Sequence, residues 1–137
     1  MKKWLVLLLF IPGLSVAAST KPAKAMAEIF LTDMQKTDIS EAYDKLFRGS
    51  SIPTEKPQSI AVLKQQTQIA LPLYGKVLGY ELVREESFGT SVVRLVYLLK
   101  AEKHVTVWEF YFYKPKDDWF LANVYFNDQF NYLGPKK

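Results

Sequence analysis

The sequence predicts an α+β fold in which N-terminal helices pack on one face of a four-stranded antiparallel sheet. Up to about residue 75, apolar residues recur with the 3.6-residue period of amphipathic helices. Beyond that point the period changes to two, and Val, Tyr, Phe and Trp dominate. The connections between the predicted strands are short, and only antiparallel strands can be joined so tightly.

Length and composition limit the classes of function. The chain has 137 residues, 49% of them hydrophobic and 23% charged, which fits one folded domain. It has no cysteine, which excludes disulfides, thiolate nucleophiles and Cys-ligated metal. The net charge is +4, but six of the bases lie in the two ends, so residues 25–135 carry 12 bases and 14 acids. We therefore predict no nucleic-acid partner, because no basic stripe lies on a folded element.

Residues 1–18 are predicted to be a secretory signal peptide. Lys2 and Lys3 precede an apolar run over residues 4–11, and the segment ends in small residues. We expect cleavage after Ala18, with Ala17 as the neighbouring option. The apolar run is too short to cross the hydrocarbon core of a membrane, which takes about 20 residues. The sequence thus predicts a single domain of residues 19–137, periplasmic or secreted, with no membrane span after cleavage.

Three helices are predicted before the sheet. The first covers residues 23–35, where apolar residues form one stripe. The second begins at Asp38, and Glu41 stands three positions later in the spacing of a capping box. The third begins near Pro57, which suits a first helical turn, and kinks or ends at Pro72.

Four strands are predicted over residues 77–84, 91–100, 105–113 and 119–127. If Ala101 and Glu102 are the two loop residues of the central hairpin, Arg94 falls opposite Glu109 and the charges pair. A register shifted by one residue would place Arg94 opposite Phe110 and leave both charges unpaired. We therefore expect the first register.

The alternation of residues sorts the strand side chains into two faces. The almost wholly apolar face should receive the helices, and its predicted members are Val93, Leu95, Tyr97, Leu99, Trp108, Phe110, Phe112, Phe120, Ala122, Val124 and Phe126. The opposite face mixes aromatic and hydrogen-bonding groups: Val92, Arg94, Val96, Glu109, Tyr111, Tyr113, Trp119, Leu121, Asn123, Tyr125 and Asn127. Such a mixture is typical of interfaces. We predict a homodimer with the interface residues Arg94, Glu109, Tyr111, Asn123 and Tyr125.

Three sequence patterns carry a family resemblance. They are Thr-Asp at 37–38 before Ala-Tyr-Asp-Lys-Leu at 42–46, a long helix that runs into Tyr-Gly-Lys at 74–76, and Asp-Trp-Phe-Leu-Ala-Asn-Val at 118–124. Over residues 25–131 the chain resembles the nuclear-transport-factor-2-like superfamily, which has a cone-shaped α+β fold. The resemblance implies a curved four-stranded antiparallel sheet and dimers through the open sheet face. Members are enzymes or non-catalytic modules, and the chain is most similar to exported bacterial members of unknown function.

Enzymes of that superfamily, such as ketosteroid isomerase and scytalone dehydratase, place Asp, His and Tyr side chains inside the cone. Here the wall of the cone is predicted to be aromatic and without a carboxylate, so the resemblance carries over no catalytic residue. The one histidine, His104, lies at a hairpin end, and a metal site needs several converging ligands. We predict an exported, non-catalytic binding or assembly module without metal or cofactor.

Two alternative functions remain open at this point. The first is a carrier of a small apolar ligand, held in the cone between the third helix and the sheet. Its predicted pocket residues are Tyr43, Leu63, Tyr74, Trp108, Phe110 and Phe120. The second is an isomerase or dehydratase, which would need an acid such as Asp44 or Glu81 in the cone with a raised pKa.

Overall fold

The computed structural model describes residues 19–36 and 38–134, and it confirms the α+β fold with helices before strands. The helices are α1 (Lys21–Asp33), α2 (Ile39–Leu46), α3 (Ile52–Glu55) and α4 (Pro57–Ala70), followed by a 3₁₀ turn (Leu71–Tyr74). The strands are β1 (Val77–Phe88), β2 (Val92–Ala101), β3 (Val105–Tyr113) and β4 (Phe120–Asn127), followed by a second 3₁₀ turn (Phe130–Leu133). The predicted signal peptide, residues 1–18, lies outside the described residues.

The four strands form one curved, unclosed sheet in the order β1-β2-β3-β4, each antiparallel to the next. α1 lies directly against β1 and β2, while α4 packs against α2. Within residues 19–36 and 38–134, no helix combines the length and the apolar character that a membrane crossing requires.

The helix ends follow from local chemistry. The Asp38 carboxylate accepts a hydrogen bond of 2.9 Å from the backbone N–H of Glu41, as a capping residue does. The Glu41 carboxylate pairs with Lys45 at 3.2 Å instead of closing the capping box. Pro57 is the first residue of α4, and the α-helix gives way to 3₁₀ geometry one residue before Pro72.

The core is built from aromatic side chains that join the two layers. Phe30 of α1 meets Tyr43 at a ring-centroid distance of 4.8 Å, Trp108 at 5.4 Å and Phe110 at 5.8 Å. All four residues are almost fully buried. This confirms that the apolar face of the sheet receives the helices, and burial of these large rings provides the main stabilisation of the fold.

Polar contacts fix α1 on the sheet. The Glu85 carboxylate of β1 accepts hydrogen bonds from the Thr20 hydroxyl and from the Lys24 ammonium, the latter at 3.3 Å. These two partners outweigh burial and lower the pKa of Glu85. The buried Tyr97 hydroxyl donates to Glu28 at 3.1 Å, and burial is the main reason that the pKa of Tyr97 is raised.

The predicted register of the central hairpin is wrong by two residues. Arg94 lies opposite Tyr111, and Val96 lies opposite Glu109. A shift of two leaves every side chain on the same face, because strand side chains alternate with period two. Arg94 and Glu109 therefore still form their ion pair, now diagonally, at 3.0 Å.

The longer turn of this hairpin has a tertiary cause. The backbone N–H groups of Glu102 and Lys103 donate to the carbonyls of Lys76 and Tyr74, at 3.1 and 2.8 Å. These bonds hold the turn against the segment that precedes β1. Residues 102–104 thus form the connection, and the two-residue loop of the prediction does not occur.

The predicted faces of β4 are wrong at its start. Tyr111 lies opposite Asn123 and Phe112 opposite Leu121, so Ala122 is an extra residue in a β-bulge. For the residues that precede the bulge, the two faces are therefore exchanged relative to the prediction. Trp119 and Leu121, predicted on the outer face, are buried with the helices. Phe120, predicted on the helical face, lies opposite Tyr113 on the outer face, and Ala122 is exposed rather than part of the apolar face.

Candidate functional site

The candidate site is the face of the sheet that points away from the helices. The helices bury their apolar residues against the other face. We call this surface the open face, and the register assigns to it Glu81, Arg84, Glu86, Phe88, Val92, Arg94, Val96, Leu98, Lys100, Val105, Val107, Glu109, Tyr111, Tyr113, Phe120, Asn123, Tyr125 and Asn127. Three of its aromatic residues are 40–55% exposed: Phe88, Tyr113 and Tyr125. These large exposed rings make the open face the candidate for an interaction surface.

A line of alternating charges crosses the open face. The Arg94 guanidinium binds Glu109 through Nη2 at 3.0 Å and Glu86 through Nη1 at 3.1 Å. Arg84 approaches Glu86 at 3.6 Å. Burial acts to lower the pKa of Arg94, but the neighbouring carboxylates, Glu109 foremost, outweigh it and raise that pKa above its ordinary value. The two arginines and two glutamates of the network thus pair with one another within one chain.

Aromatic and amide groups lie beside this line. The rings of Tyr111 and Tyr125 meet edge to face, with centroids 6.4 Å apart. The Asn123 amide donates to the Tyr125 hydroxyl at 2.5 Å. At the adjacent end of the face, Tyr113 and Phe120 meet edge to face at 5.6 Å. Each tyrosine offers a flat apolar ring together with a hydroxyl that can donate or accept a hydrogen bond.

The structure brings the five predicted interface residues together on the open face. Arg94 and Glu109 form the ion pair, and Tyr111, Asn123 and Tyr125 flank it. Phe88 and Phe120 also lie on this face, although neither was predicted there. The position of Phe88 could have been predicted by extending the strand beyond residue 84. The alternation of side chains then places Arg84, Glu86 and Phe88 on one side of β1. The position of Phe120 depends on the bulge at Ala122, and no local feature of the sequence indicates that bulge.

The six predicted pocket residues do not surround one cavity. Tyr43, Trp108 and Phe110 are fully buried, and Trp108 stacks on Phe126 at 4.7 Å. Their rings fill the space that the carrier hypothesis requires. The other three residues lie in separate places: Leu63 is half-buried on α4, Tyr74 lies at one end of the sheet, and Phe120 is on the open face.

Tyr43 has a structural role between the helices. Its hydroxyl lies 2.7 Å from that of Thr67, which itself donates to the Leu63 carbonyl at 2.8 Å. Tyr43 therefore donates to Thr67, and the bond joins α2 to α4 in the core. Burial raises the pKa of the Tyr43 hydroxyl, although the bond to Thr67 acts to lower it. The hydroxyl is thus a buried core group whose hydrogen bond is satisfied.

The acids that an isomerase would need lie at the surface. Asp44 is exposed and pairs with Lys64 at 2.6 Å, and Glu81 is exposed and pairs with Lys100 at 3.0 Å. Neither carboxylate reaches the aromatic core. Among the described residues, no group of three or more His, Cys, Asp or Glu residues is placed to hold a metal ion.

Comparison with known proteins gives no match: no family model fits the chain, and neither a curated protein nor a solved structure is significantly similar to it. The resemblance to the nuclear-transport-factor-2-like superfamily stays a prediction.

Proposed function

We propose that this protein is an exported, non-catalytic binding module that forms a homodimer through its open face. The observation that supports this most strongly is the uncovered sheet face itself, with Phe88, Tyr113 and Tyr125 about half exposed. A sheet in water is commonly apolar on one face and polar on the other. Here both faces carry large aromatic side chains, and burying the second face requires a partner.

The charges of the open face favour a second copy of the chain as that partner. The face carries three bases (Arg84, Arg94 and Lys100) and three acids (Glu81, Glu86 and Glu109). In a twofold dimer the same surface meets itself, so a face with a net charge would repel its copy. A neutral face in which each cation is already paired has no such cost. It also offers little attraction to a strongly charged partner.

The size of the face approaches that of a standard dimer interface. Four strands about 4.8 Å apart, each rising about 3.3 Å per residue, give a surface of roughly 20 by 30 Å. A specific interface of standard size buries about 800 Å² on each partner. Two sheets that pack face to face interdigitate their side chains at a separation of about 10 Å. The exposed rings of Phe88, Tyr113 and Tyr125 would then be covered.

The dimer is tested by placing a carboxylate within the proposed contact. We expect the purified protein to sediment as a dimer at micromolar concentration. Because Tyr125 is 55% exposed, Tyr125→Glu should leave the fold of each chain intact. An unpaired carboxylate of each chain buried in the contact should raise the dissociation constant at least about 100-fold, since a buried unpaired charge costs several kcal/mol.

Leu73→Glu is the matched control, because Leu73 is 67% exposed and lies outside the open face. This variant should remain dimeric. A wild-type protein that stays monomeric at 100-fold higher concentration would contradict the proposal. So would a Tyr125→Glu protein that dimerises as the wild type does.

Export is the second part of the proposal. It is supported by the order of two lysines, an apolar run and small residues over residues 1–18. When the full chain is expressed in a bacterial host, we expect the purified protein to begin at Ser19, or at Ala18 for the neighbouring cleavage position. Intact mass spectrometry measures the N-terminus. A protein that retains Met1 or Lys2 in the periplasmic fraction would contradict cleavage.

A further inference from the structure

A groove of about 530 Å³ lies on the helical side of the molecule, away from the open face. It runs between α1, α2 and the start of β4. Its apolar lining consists of Met26, Ile29, Phe30, Ala42, Leu46 and Trp119. The volume falls in the range of small-molecule sites, which are concave and mostly apolar with a few placed polar groups.

The walls of the groove are fixed before any ligand arrives. The Trp119 indole donates a hydrogen bond of 3.0 Å to the Ser19 carbonyl, and the Lys114 ammonium lies 5.3 Å from the centre of its ring. Phe30 is held by its aromatic neighbours in the core. Ile29, by contrast, is 56% exposed at the opening. Because this apolar wall is already ordered, little conformational entropy is lost when a ligand with an aliphatic chain packs against it.

The charged groups that line the groove are two cations and one carboxylate. Its lining includes Lys45, Arg48 and Asp118. Lys45 is balanced by Glu41 at 3.2 Å and by Asp33 at 3.6 Å. Arg48 differs, because within the described part of the chain it forms no ion pair, and Asp118 is not close enough to bind it. The groove thus combines an apolar wall with one guanidinium whose charge is available.

We propose that this groove binds a small amphipathic monocarboxylate, a linear aliphatic acid, with its chain on the wall formed by Ile29, Phe30 and Trp119. The carboxylate of the ligand binds Arg48, since a planar guanidinium can bind a carboxylate through two parallel hydrogen bonds. The site goes beyond the proposed dimer and does not depend on it, because groove and open face lie on opposite sides of the sheet. It also differs from the predicted cone pocket, whose aromatic residues fill their own space.

The head-group contact is tested with two ligands of equal chain length. Isothermal titration calorimetry with dodecanoate, below its micelle concentration, is expected to show one saturable site per chain. Dodecanol, which lacks the charge, should bind about tenfold more weakly, the usual effect of one charge-assisted hydrogen-bond contact. Arg48→Gln should remove that difference by weakening dodecanoate alone. Lys103→Gln is the control, since Lys103 is exposed at the β2–β3 turn and outside the groove.

The apolar wall is tested with a matched pair of isoleucines. Ile29→Ser should weaken both ligands several-fold, whereas Ile69→Ser should weaken neither, because Ile69 is 63% exposed on α4 and outside the groove. Both residues are too exposed for their loss to unfold the protein. The proposal is overturned if dodecanoate shows no saturable binding, if Arg48→Gln binds it as the wild type does, or if the two serine variants behave alike.

Discussion

Replacing Phe110 by alanine is expected to lower the free energy of unfolding by about 3–5 kcal/mol. The Phe110 side chain is fully buried, and its ring meets those of Phe30, Tyr97 and Trp108 at centroid distances of 5.8, 5.9 and 6.3 Å. These neighbours come from both the helical layer and the sheet. The alanine side chain would leave a cavity that these neighbours cannot fill without disturbing the contact between the layers. The loss of unfolding free energy should therefore lie at the upper end of the range for such substitutions.

Urea unfolding followed by circular dichroism measures this loss, at one fixed protein concentration because a dimer gains apparent stability with concentration. Leu73→Ala provides the control. Leu73 is 67% exposed, so its truncation should change the unfolding free energy by no more than about 0.5 kcal/mol. If Phe110→Ala cost as little as Leu73→Ala, the aromatic side chains would not form the packed core described above.

The order and type of the main elements could be predicted because their signals are local. The helical stripe of α1, the capping carboxylate of Asp38 and the proline at the start of α4 each act within one or two turns. The same holds for the end of α4, which Pro72 imposes on the residue before it. Local signals do not depend on the rest of the chain, and these elements formed close to where the sequence indicated, with α1 two residues earlier than predicted.

The register of the central hairpin depends on residues remote in sequence. Carbonyl groups of Tyr74 and Lys76 hold the turn at Glu102 and Lys103, more than 25 residues away along the chain. The sequences of β2 and β3 contain no pattern that predicts this contact. The face assignment of β2 and β3 was nevertheless correct, because an error of two residues does not change which side a residue faces.

The bulge at Ala122 explains why the groove could not be predicted. Residues 119–122 are all apolar, so the alternation of residues does not indicate which of their side chains face the helices. A regular strand would place Trp119 on the outer face. The bulge turns it inward, where it forms a wall of the groove beside Phe30. The extra residue thus changes which side chains at the start of β4 lie on the open face, and it places Trp119 in the wall of the groove.

The second large effect is expected from Arg94→Leu. The Arg94 and Glu109 side chains are only 14% and 19% exposed, and Arg94 also binds Glu86. Removing the guanidinium leaves a mostly buried carboxylate without its cation, which costs about 3–5 kcal/mol for a fully buried pair. Because some water reaches this pair, we expect a loss of about 2–3 kcal/mol in urea unfolding.

The double variant Arg94→Leu with Glu109→Leu separates the cost of an unpaired charge from the contribution of the pair itself. With both partners replaced by apolar side chains no desolvated charge remains there, and Glu86 keeps its neighbour Arg84 at 3.6 Å. The double variant should therefore be more stable than Arg94→Leu alone, since apolar replacement of a buried pair is often neutral. A double variant less stable than the single one would mean that the Arg94 stem, rather than the ion pair, holds this part of the sheet together.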